Sequence, residues 1–409
     1  MTPIKWLKNF FSRGVTTANV GAPWFGLGAA GADDGRALEA FRSWVFAAVH
    51  LNASAVATIP LRMYAGTQGR RLLYRHTPLN HRSKSLNWAG PHVVQKIADW
   101  GNNWAMLTEP HPALALLHKP SSDSNGHELL YTLACHLELT GNAYLYCPAR
   151  ADGLPGAERL IALSPDQVRV ELDETRSHAI GYRFIGAMGE QTQLALSEIV
   201  HIRRPNPSGS CYGIGKAHAA WPAIQLSRAH TQMDLALLEN QARPDYAAVV
   251  KSGATPTQLE RFEAQVQSKL RGPANAGRFL TITGDVQLLP LSFAPKDLAG
   301  RKETIEEIAA VFGVPISLLK ANDPNKASAE TGRRAWREQT ILPLCRLIEE
   351  SLNAHYLPKF GSEVAHSAAL AFDNPVPDDR KFELERRTRL VAAGILTRQE
   401  AREEEGLKG

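Results

Sequence analysis

The sequence predicts an α+β protein in which two helices carry a small β-rich insert. Three patterns lead to that expectation. Alternating apolar and polar residues, typical of half-buried strands, are concentrated in residues 161–203. Apolar residues at helical spacing, such as Leu130, Leu133 and Leu137, precede that region. A strand-helix-hairpin pattern then occupies residues 245–296 between two further helical segments.

Composition is that of an ordinary folded protein. The chain has 409 residues, with 44% hydrophobic and 21% charged residues, enough for two or three domains. No stretch approaches the ~18 consecutive apolar residues that cross a bilayer. Four scattered cysteines without a CxxC pair predict neither a disulfide framework nor a zinc site. The net charge of +5 permits contact with a polyanion without requiring it.

The N-terminal 37 residues are predicted to be a flexible arm, because residues 16–35 are rich in glycine and alanine. Two interpretations of residues 1–15 stay open. Lys5, Lys8 and Arg13 among apolar residues fit a short amphipathic helix at a membrane surface. They also fit a mobile arm or a docking helix, which we favour.

An α+β domain is predicted for residues 38–216. It starts with a helix over 38–57 and a short strand over 59–64, and residues 66–103 are expected to form a long irregular loop or insertion. A helix over 125–140 leads through a Gly-Asn turn into the β-rich part. Strands are predicted at 143–147, 168–172, 181–185 and 199–203.

The second half begins with a long helix over residues 217–241. A strand at 246–250, a helix that starts at the Thr255 capping box and a hairpin at 279–291 form the insert. The chain then returns as a helix over 297–312, which Gly313 stops.

A polar loop, ANDPNKA, is predicted for residues 321–327. Ser328 should cap a long helix, and Pro343 inside that helix removes a hydrogen bond and should kink it. Two helices are expected over residues 378–409, with Gly394 ending the first of them.

Two glycine-rich stretches offer an alternative function, a nucleotide-binding enzyme. Residues 26–31 spell GxGxxG, but no strand pattern precedes them. Residues 209–216 approach a phosphate-binding loop, but Ala217 follows where a hydroxyl would bind magnesium. We favour a turn into the next helix. His201 is expected to be structural, and no catalytic, cofactor or metal-binding set has a recognised spacing.

Several motifs occur in an order that resembles the portal proteins of tailed bacteriophages. They are AVATIPL at residues 55–61, LTGNAY at 139–144, EIVHI at 198–202, EIAAVFGVP at 307–315 and GILTRQEAR at 394–402. The last motif departs from the family pattern at Gln399, where asparagine is usual. Each motif is weak alone, but their shared order over residues 38–407 is specific.

The resemblance implies an architecture and a non-enzymatic function. It assigns a wing (38–216), two stem helices (217–244 and 297–320), a clip (245–296), a tunnel loop (321–327), a long kinked helix returning to the wing (328–377) and a helical crown (378–409). Such subunits form a ring, typically of twelve copies, at one capsid vertex of the virion after assembly in the host cytoplasm. Double-stranded DNA is packaged and ejected through the ring. The implied partners are the terminase large subunit, the capsid protein and head-completion or adaptor proteins, with no membrane.

Within this framework the tunnel loop supplies the expected DNA-contacting residues. They are Asn322, Asp323, Asn325 and Lys326. Side-chain amides and a single cation can touch phosphates weakly and release them, which sliding DNA requires. An ordinary solvent-exposed connector between two helices remains the alternative interpretation of this loop.

Overall fold

The computed structural model describes most of the helical and sheet framework. The described residues are 30–66, 76–77, 89–100, 104–107, 111–152, 155–174, 178–239, 246–250, 286–290, 299–320 and 326–376, with 385, 388–395, 397 and 399 from the C-terminal segment. Helices and small antiparallel sheets alternate along these residues. The expected α+β class is therefore confirmed in its coarse form.

Twelve α-helices and twelve strands are described. The helices are α1 (Ala30–Glu39), α2 (Ser43–Thr58), α3 (Pro91–Trp100), α4 (Pro112–His118), α5 (Gly126–Leu139), α6 (Lys216–Ala219), α7 (Trp221–Glu239), α8 (Ala299–Phe312), α9 (Ile316–Leu319), α10 (Lys326–Trp336), α11 (Leu342–Ser351) and α12 (Ser362–Ser367). The strands are β1 (Leu61–Gly66), β2 (His76–Thr77), β3 (Trp104–Leu107), β4 (Asn142–Tyr146), β5 (Ile161–Leu163), β6 (Val168–Leu172), β7 (Ala179–Ile185), β8 (Gln191–Leu194), β9 (Ile199–Arg203), β10 (Tyr246–Val250), β11 (Val286–Pro290) and β12 (Ala368–Phe372).

The start of the described chain corrects two predictions. Helix α1 begins at Ala30, inside the segment whose composition suggested a flexible arm, and Ala37 is buried. The single helix expected over 38–57 is two helices, because the backbone turns between α1 and α2 and Ser43 has φ +53°. Two glycines and two aspartates among its ten residues disfavour a helix, so packing, which buries Ala37 and Ala40, explains α1 better than composition does.

A four-stranded antiparallel sheet, in the order β12-β1-β3-β2, corrects the prediction that residues 66–103 form an irregular loop. Strand β2 and helix α3 both lie within those residues. Proline 91 occupies the first position of α3, where a missing N–H costs nothing, and Val93 is fully buried. Strand β2 is too short to show a period, whereas α3 does carry apolar residues at helical spacing, at Val93, Ile97 and Trp100.

Two three-stranded antiparallel sheets confirm the predicted strands of the β-rich part. Their orders are β5-β4-β9 and β6-β7-β8. Strand β4 pairs with β9 so that Tyr144 lies opposite His201. Helix α5 leads directly into β4, and its apolar side packs in the main core against α2.

Helices α7 and α8 pack against each other, and strands β10 and β11 pair antiparallel between them in the chain. Tyr246 lies opposite Pro290 at the end of this strand pair that is nearer in the chain to the two helices, and Val250 lies opposite Val286 at the other end. The predicted helix of the insert, which starts at Thr255, lies outside the described residues.

The helical segment after residue 325 confirms the expectation of one long helix with a distortion near Pro343, because helical residues run without a break from 326 to 360. Helix α10 begins at Lys326, two residues before the predicted Ser328 cap. A π-helical turn (Arg337–Ile341) precedes Pro343, and the N–H of Leu342 donates to Arg337 O there. Such a turn accommodates the missing proline N–H. The segment 328–377 also ends in a strand, because β12 returns to pair with β1.

Three further observations bound the fold. The core joins α2, α5 and α11, and the hydroxyl of buried Tyr356 donates to Ala113 O at 2.9 Å. Gly394 has φ +68° after the helical residues 388–392, which confirms the predicted helix end. Among the helices described above, none is long and apolar enough to cross a membrane.

Candidate functional site

The structure describes the frame of the predicted tunnel loop. Asn322, Asp323 and Asn325 lie outside the described residues. Lys326, predicted to be in the loop, is the first residue of α10, so this end of the loop is shorter than predicted. On the other side the described chain ends at Lys320, whose ammonium lies 5.9 Å from the centre of the Trp44 ring. That distance allows a cation–π contact between Lys320 and Trp44 of α2.

Helix α8 ends at a glycine, and any other residue at this position would force the neighbouring Thr340 side chain to move. Gly313 has φ +69°, and the N–H of Val314 donates to Ala309 O at 2.9 Å, which closes the C-terminus of α8. The hydroxyl of Thr340 donates to Gly313 O at 2.8 Å. A Cβ at position 313 would lie 2.5 Å from the Thr340 Oγ1 atom. The end of α8 is therefore locked against the π-helical turn after α10.

A buried asparagine connects the C-terminal ends of α8 and α10. Asn52 of α2 has no exposed surface. Its amide donates to Phe312 O, the last residue of α8, at 3.0 Å. Its carbonyl accepts a hydrogen bond of 2.8 Å from the indole N–H of Trp336, the last residue of α10. Asn52 thus joins the C-terminal end of α8 to the C-terminal end of α10, which is the end of α10 away from the loop.

The same amide of Asn52 also donates to the carboxylate of Glu138, at 2.8 Å. Glu138 is completely buried and receives two cations. The Lys216 ammonium lies 2.9 Å from its Oε2 atom, and the Arg204 guanidinium donates to its Oε1 atom. Burial lowers the pKa of Lys216, and Glu138 opposes that effect. We call Asn52, Glu138, Arg204, Lys216 and Trp336 the junction network.

Sequence reasoning did not single out the junction network. Lys216 entered only as the lysine of an incomplete phosphate-binding loop. A weak signal was present in Asn52, an amide within the apolar run of α2, and in Glu138, a carboxylate among the leucines of α5. Charged residues are rarely buried without partners, so both positions pointed to polar contacts inside the fold.

Asn142 holds the glycine-rich stretch 209–216 against the end of α5. Its Oδ1 atom accepts a 2.7 Å hydrogen bond from the N–H of Gly213. A Cβ at Gly213 would lie 2.1 Å from Gly141 O, and one at Gly215 would lie 2.0 Å from Leu139 O. These glycines allow two backbone segments to touch. The N–H groups of Gly213 and Gly215 are occupied within the fold, the latter by the His218 ring, so they do not form a phosphate cradle.

His201 has the structural role predicted for it. Its Nε2 atom lies 3.2 Å from the Asn142 Oδ1 atom, and its ring stacks on Tyr144 at 4.4 Å. Burial lowers the pKa of His201 to about 3, so the ring is neutral at physiological pH. Across the part of the chain that the structure describes, no group of three potential metal ligands is present.

A statistical model of the family described as "Phage portal protein" matches residues 100–406. The chain belongs to the phage portal protein family. Two relatives described only as uncharacterized proteins, from Rickettsia bellii and Rickettsia felis, are 28% and 27% identical over 266 and 265 residues. Each alignment covers 62% of this portal protein, and 68% and 67% of the respective relatives.

Solved structures share the fold of this portal protein. A chain from the virion of a native gene transfer agent particle has a TM-score of 0.58 and 24% identity, covering 92% of this chain and 94% of that chain. A chain from the neck of the native particle, computed with C12 symmetry, has the same score and identity, covering 95% and 96%. An HK97-family portal protein from Corynebacterium diphtheriae has a TM-score of 0.51 and 17% identity, covering 82% and 94%.

The structure explains two motifs on which the resemblance rested. The Asn of LTGNAY, Asn142, and the His of EIVHI, His201, contact each other on neighbouring strands. Together they secure the backbone crossing at Gly213. In this portal protein the two motifs therefore serve the fold, since both side chains are engaged inside it.

Proposed function

We propose that this portal protein assembles as a ring, of twelve subunits, at one vertex of a phage or prophage-derived capsid. Double-stranded DNA would be packaged and ejected through its centre. The family membership and the fold shared with a particle neck computed with C12 symmetry support this proposal. The residues 38–216 would form the wing, α7 and α8 the stem, β10–β11 with residues between them the clip, and residues 378–409 the crown.

The DNA-contacting element in this proposal is the loop 321–325 with Lys326 beside it. The observation that supports it most is the polar sequence of residues 321–326, which connects α9 to α10. Weak contacts of amides and one cation with phosphates would guide DNA without arresting it.

Substitution of Lys326 tests this assignment. Lys326→Glu should leave ring assembly intact and lower the amount of DNA packaged or retained, because a phosphate contact becomes a repulsion. Lys326→Ala should have a weaker effect and change stability by less than about 0.5 kcal/mol. Lys119→Glu, an exposed lysine at the end of α4, is the matched control. Normal rings with normal DNA content in Lys326→Glu would contradict the assignment, and failed assembly would place Lys326 at a subunit contact.

The clip is proposed to dock the terminase large subunit during packaging and head-completion or adaptor proteins afterwards. The register of β10 and β11 allows a clean deletion test. Because Val250 lies opposite Val286, residues 251–285 can be replaced by a two-residue Asn-Gly turn. The shortened protein should fold and form rings but fail to bind terminase in a pull-down. Normal packaging complexes would contradict the docking role.

No enzymatic activity is proposed for this chain. Its proposed partners are the capsid protein, the terminase and the completion proteins.

Negative-stain images of purified protein should show rings with a central hole. The purified rings should hydrolyse neither ATP nor DNA, because the glycine-rich stretch is engaged in the fold. ATP hydrolysis that co-purifies with the chain and is lost on Lys216→Met would instead support the nucleotide-binding alternative.

A further inference from the structure

Two donors and two acceptors in the junction network form a closed set of hydrogen bonds. Glu138 Oε2 accepts from Asn52 Nδ2 at 2.8 Å and from Lys216 Nζ at 2.9 Å. Phe312 O accepts from the same two nitrogens, both at 3.0 Å. Every bond in the set shares an atom with two others. Moving any one of these groups therefore breaks at least two hydrogen bonds, each in a buried site where a lost bond is costly.

The C-terminus of α8 offsets part of an excess of positive charge in the junction network. Glu138 contributes one negative charge, whereas Arg204 and Lys216 contribute one positive charge each. One positive charge is left over in a buried site. The carbonyl of Phe312 lies at the C-terminus of α8, where the aligned peptide dipoles are equivalent to about half a negative charge. The Lys216 ammonium donates to that carbonyl, so the α8 terminus supplies part of the missing charge.

The network lies where the α7–α8 pair joins the rest of the fold. We call the described residues within 30–215 and 314–376 the body. Lys216 is the first residue of α6, which runs into α7, and Phe312 is the last residue of α8. Both body-side ends of the pair are thus bound to Glu138, one through the lysine and the other through a shared donor. Strands β10 and β11 lie at the opposite ends of the same two helices.

We propose that Glu138 is a positioning residue that fixes the orientation of the α7–α8 pair, and of the β10–β11 strand pair beyond it, relative to the body. Glu138 acts through Lys216 and Phe312 O, and touches no ligand itself. When its charge or its lysine partner is lost, the pair pivots about residues 215 and 313 while the body remains folded. The biological meaning of this orientation, a clip held at a fixed angle, rests on the proposed function. The orientation itself does not depend on a ring.

A distance measurement within one subunit tests the proposal. Spin labels at His118→Cys, at the exposed end of α4, and Gln287→Cys, on β11, report the position of the β10–β11 strand pair relative to the body. Cys211→Ser removes the half-buried cysteine, and the other three native cysteines are buried. Labelled chains are assembled with an excess of unlabelled chains, so that each measured distance lies inside a single subunit.

Three substitutions separate positioning from mere stability. Lys216→Met leaves Glu138 paired with Arg204, so the buried charges cancel and the chain should fold. Lys216→Arg keeps a cation at the site. Glu138→Gln leaves two buried cations without a counter-charge, so it is the more disruptive change. Arg183→Met is the matched control, because it breaks an exposed ion pair with Glu171 far from the junction.

The width of the distance distribution is the deciding measurement. Lys216→Met should broaden the distribution about twofold while the melting of the body changes little, since local opening needs less free energy than global unfolding. Lys216→Arg and Arg183→Met should give the wild-type width. An unchanged width in folded Lys216→Met would overturn the proposal, as would equal broadening in Arg183→Met. DNA packaging does not enter this measurement, so failure here is distinct from failure of the channel assignment.

Discussion

Glu349 should make the stability of this portal protein depend on pH in an unusual direction. Its side chain lies in α11 and is 1% exposed. One carboxylate oxygen accepts a hydrogen bond of 2.7 Å from the N–H of Gly90, and the other accepts one of 3.1 Å from Phe372. Burial raises the pKa of Glu349 to about 7, and these two backbone hydrogen bonds oppose the increase. The buried group therefore holds its proton to a higher pH than the unfolded chain does.

The size of the effect follows from linkage between protonation and folding. The pKa of Glu349 rises from 4.5 to about 7. At ~1.4 kcal/mol for each pH unit, this difference corresponds to about 3 kcal/mol of unfolding free energy. Because the folded pKa is the higher one, the stabilisation is complete below pH 4.5. It declines as the pH rises towards 7 and is lost above that value.

Urea denaturation at several pH values between 4.5 and 8.5, followed by tryptophan fluorescence, measures this decline. Glu349→Gln removes the titration. Its amide nitrogen also faces one of the two N–H donors, which costs about 1–3 kcal/mol at every pH. The wild type should therefore exceed the variant most at low pH, and the difference should shrink by about 3 kcal/mol across the range. Glu306→Gln, an exposed glutamate of α8, is the control and should follow the wild type.

Parallel curves would refute the reasoning. If wild type and Glu349→Gln lose stability equally between pH 4.5 and 8.5, then Glu349 does not carry the titration. A difference that grows with pH would mean that the carboxylate is favoured in the fold. In that case the two backbone hydrogen bonds would outweigh the burial.

Four further substitutions test the packing of the backbone. Gly215→Ala should destabilise the fold by more than about 4 kcal/mol or prevent folding, because its Cβ would lie 2.0 Å from Leu139 O. Gly189→Ala should cost only about 1 kcal/mol, because its only strain is the backbone φ of +83° and no atom lies within 4 Å of the added Cβ. Gly332→Ala should stabilise α10 by up to about 1 kcal/mol, because the site has room for a methyl group and alanine favours a helix. Asn142→Ala should cost about 2 kcal/mol by leaving the buried N–H of Gly213 without an acceptor. Thermal or urea unfolding of the purified proteins checks all of these values.

The parts of the fold that the sequence predicted well have long local patterns. Strands β6, β7 and β9 alternate over five to seven residues, and their positions matched the prediction within two residues. Helix α5 shows its apolar side at regular spacing, and an asparagine cap at Asn125 fixes its start. Here local propensity and burial favour the same structure, which is why a single sequence was sufficient.

The missed elements are short or are held by distant partners. Strand β2 has two residues, and β12 contains three alanines, a leucine and a phenylalanine that pair with β1 across more than 300 positions. The sequence contains no periodic signal for such a strand. Its buried character comes from both faces of the sheet being covered, so the alternation that marks half-buried strands is absent.

The junction network shows why polar sites inside a fold are harder to predict than its apolar core. Asn52, Glu138 and Lys216 each have an ordinary local explanation: a helix residue, a helix charge and the end of a glycine-rich loop. Their chemistry appears only when the fold brings them within 3 Å of each other. The type of an apolar residue is enough to predict that it is buried. A carboxylate is buried only where it has partners, and those partners can be distant in the sequence. The sequence correctly predicted that the glycines before Lys216 form a turn and not a phosphate-binding loop. The partner of Lys216, which is Glu138, became visible only in the structure.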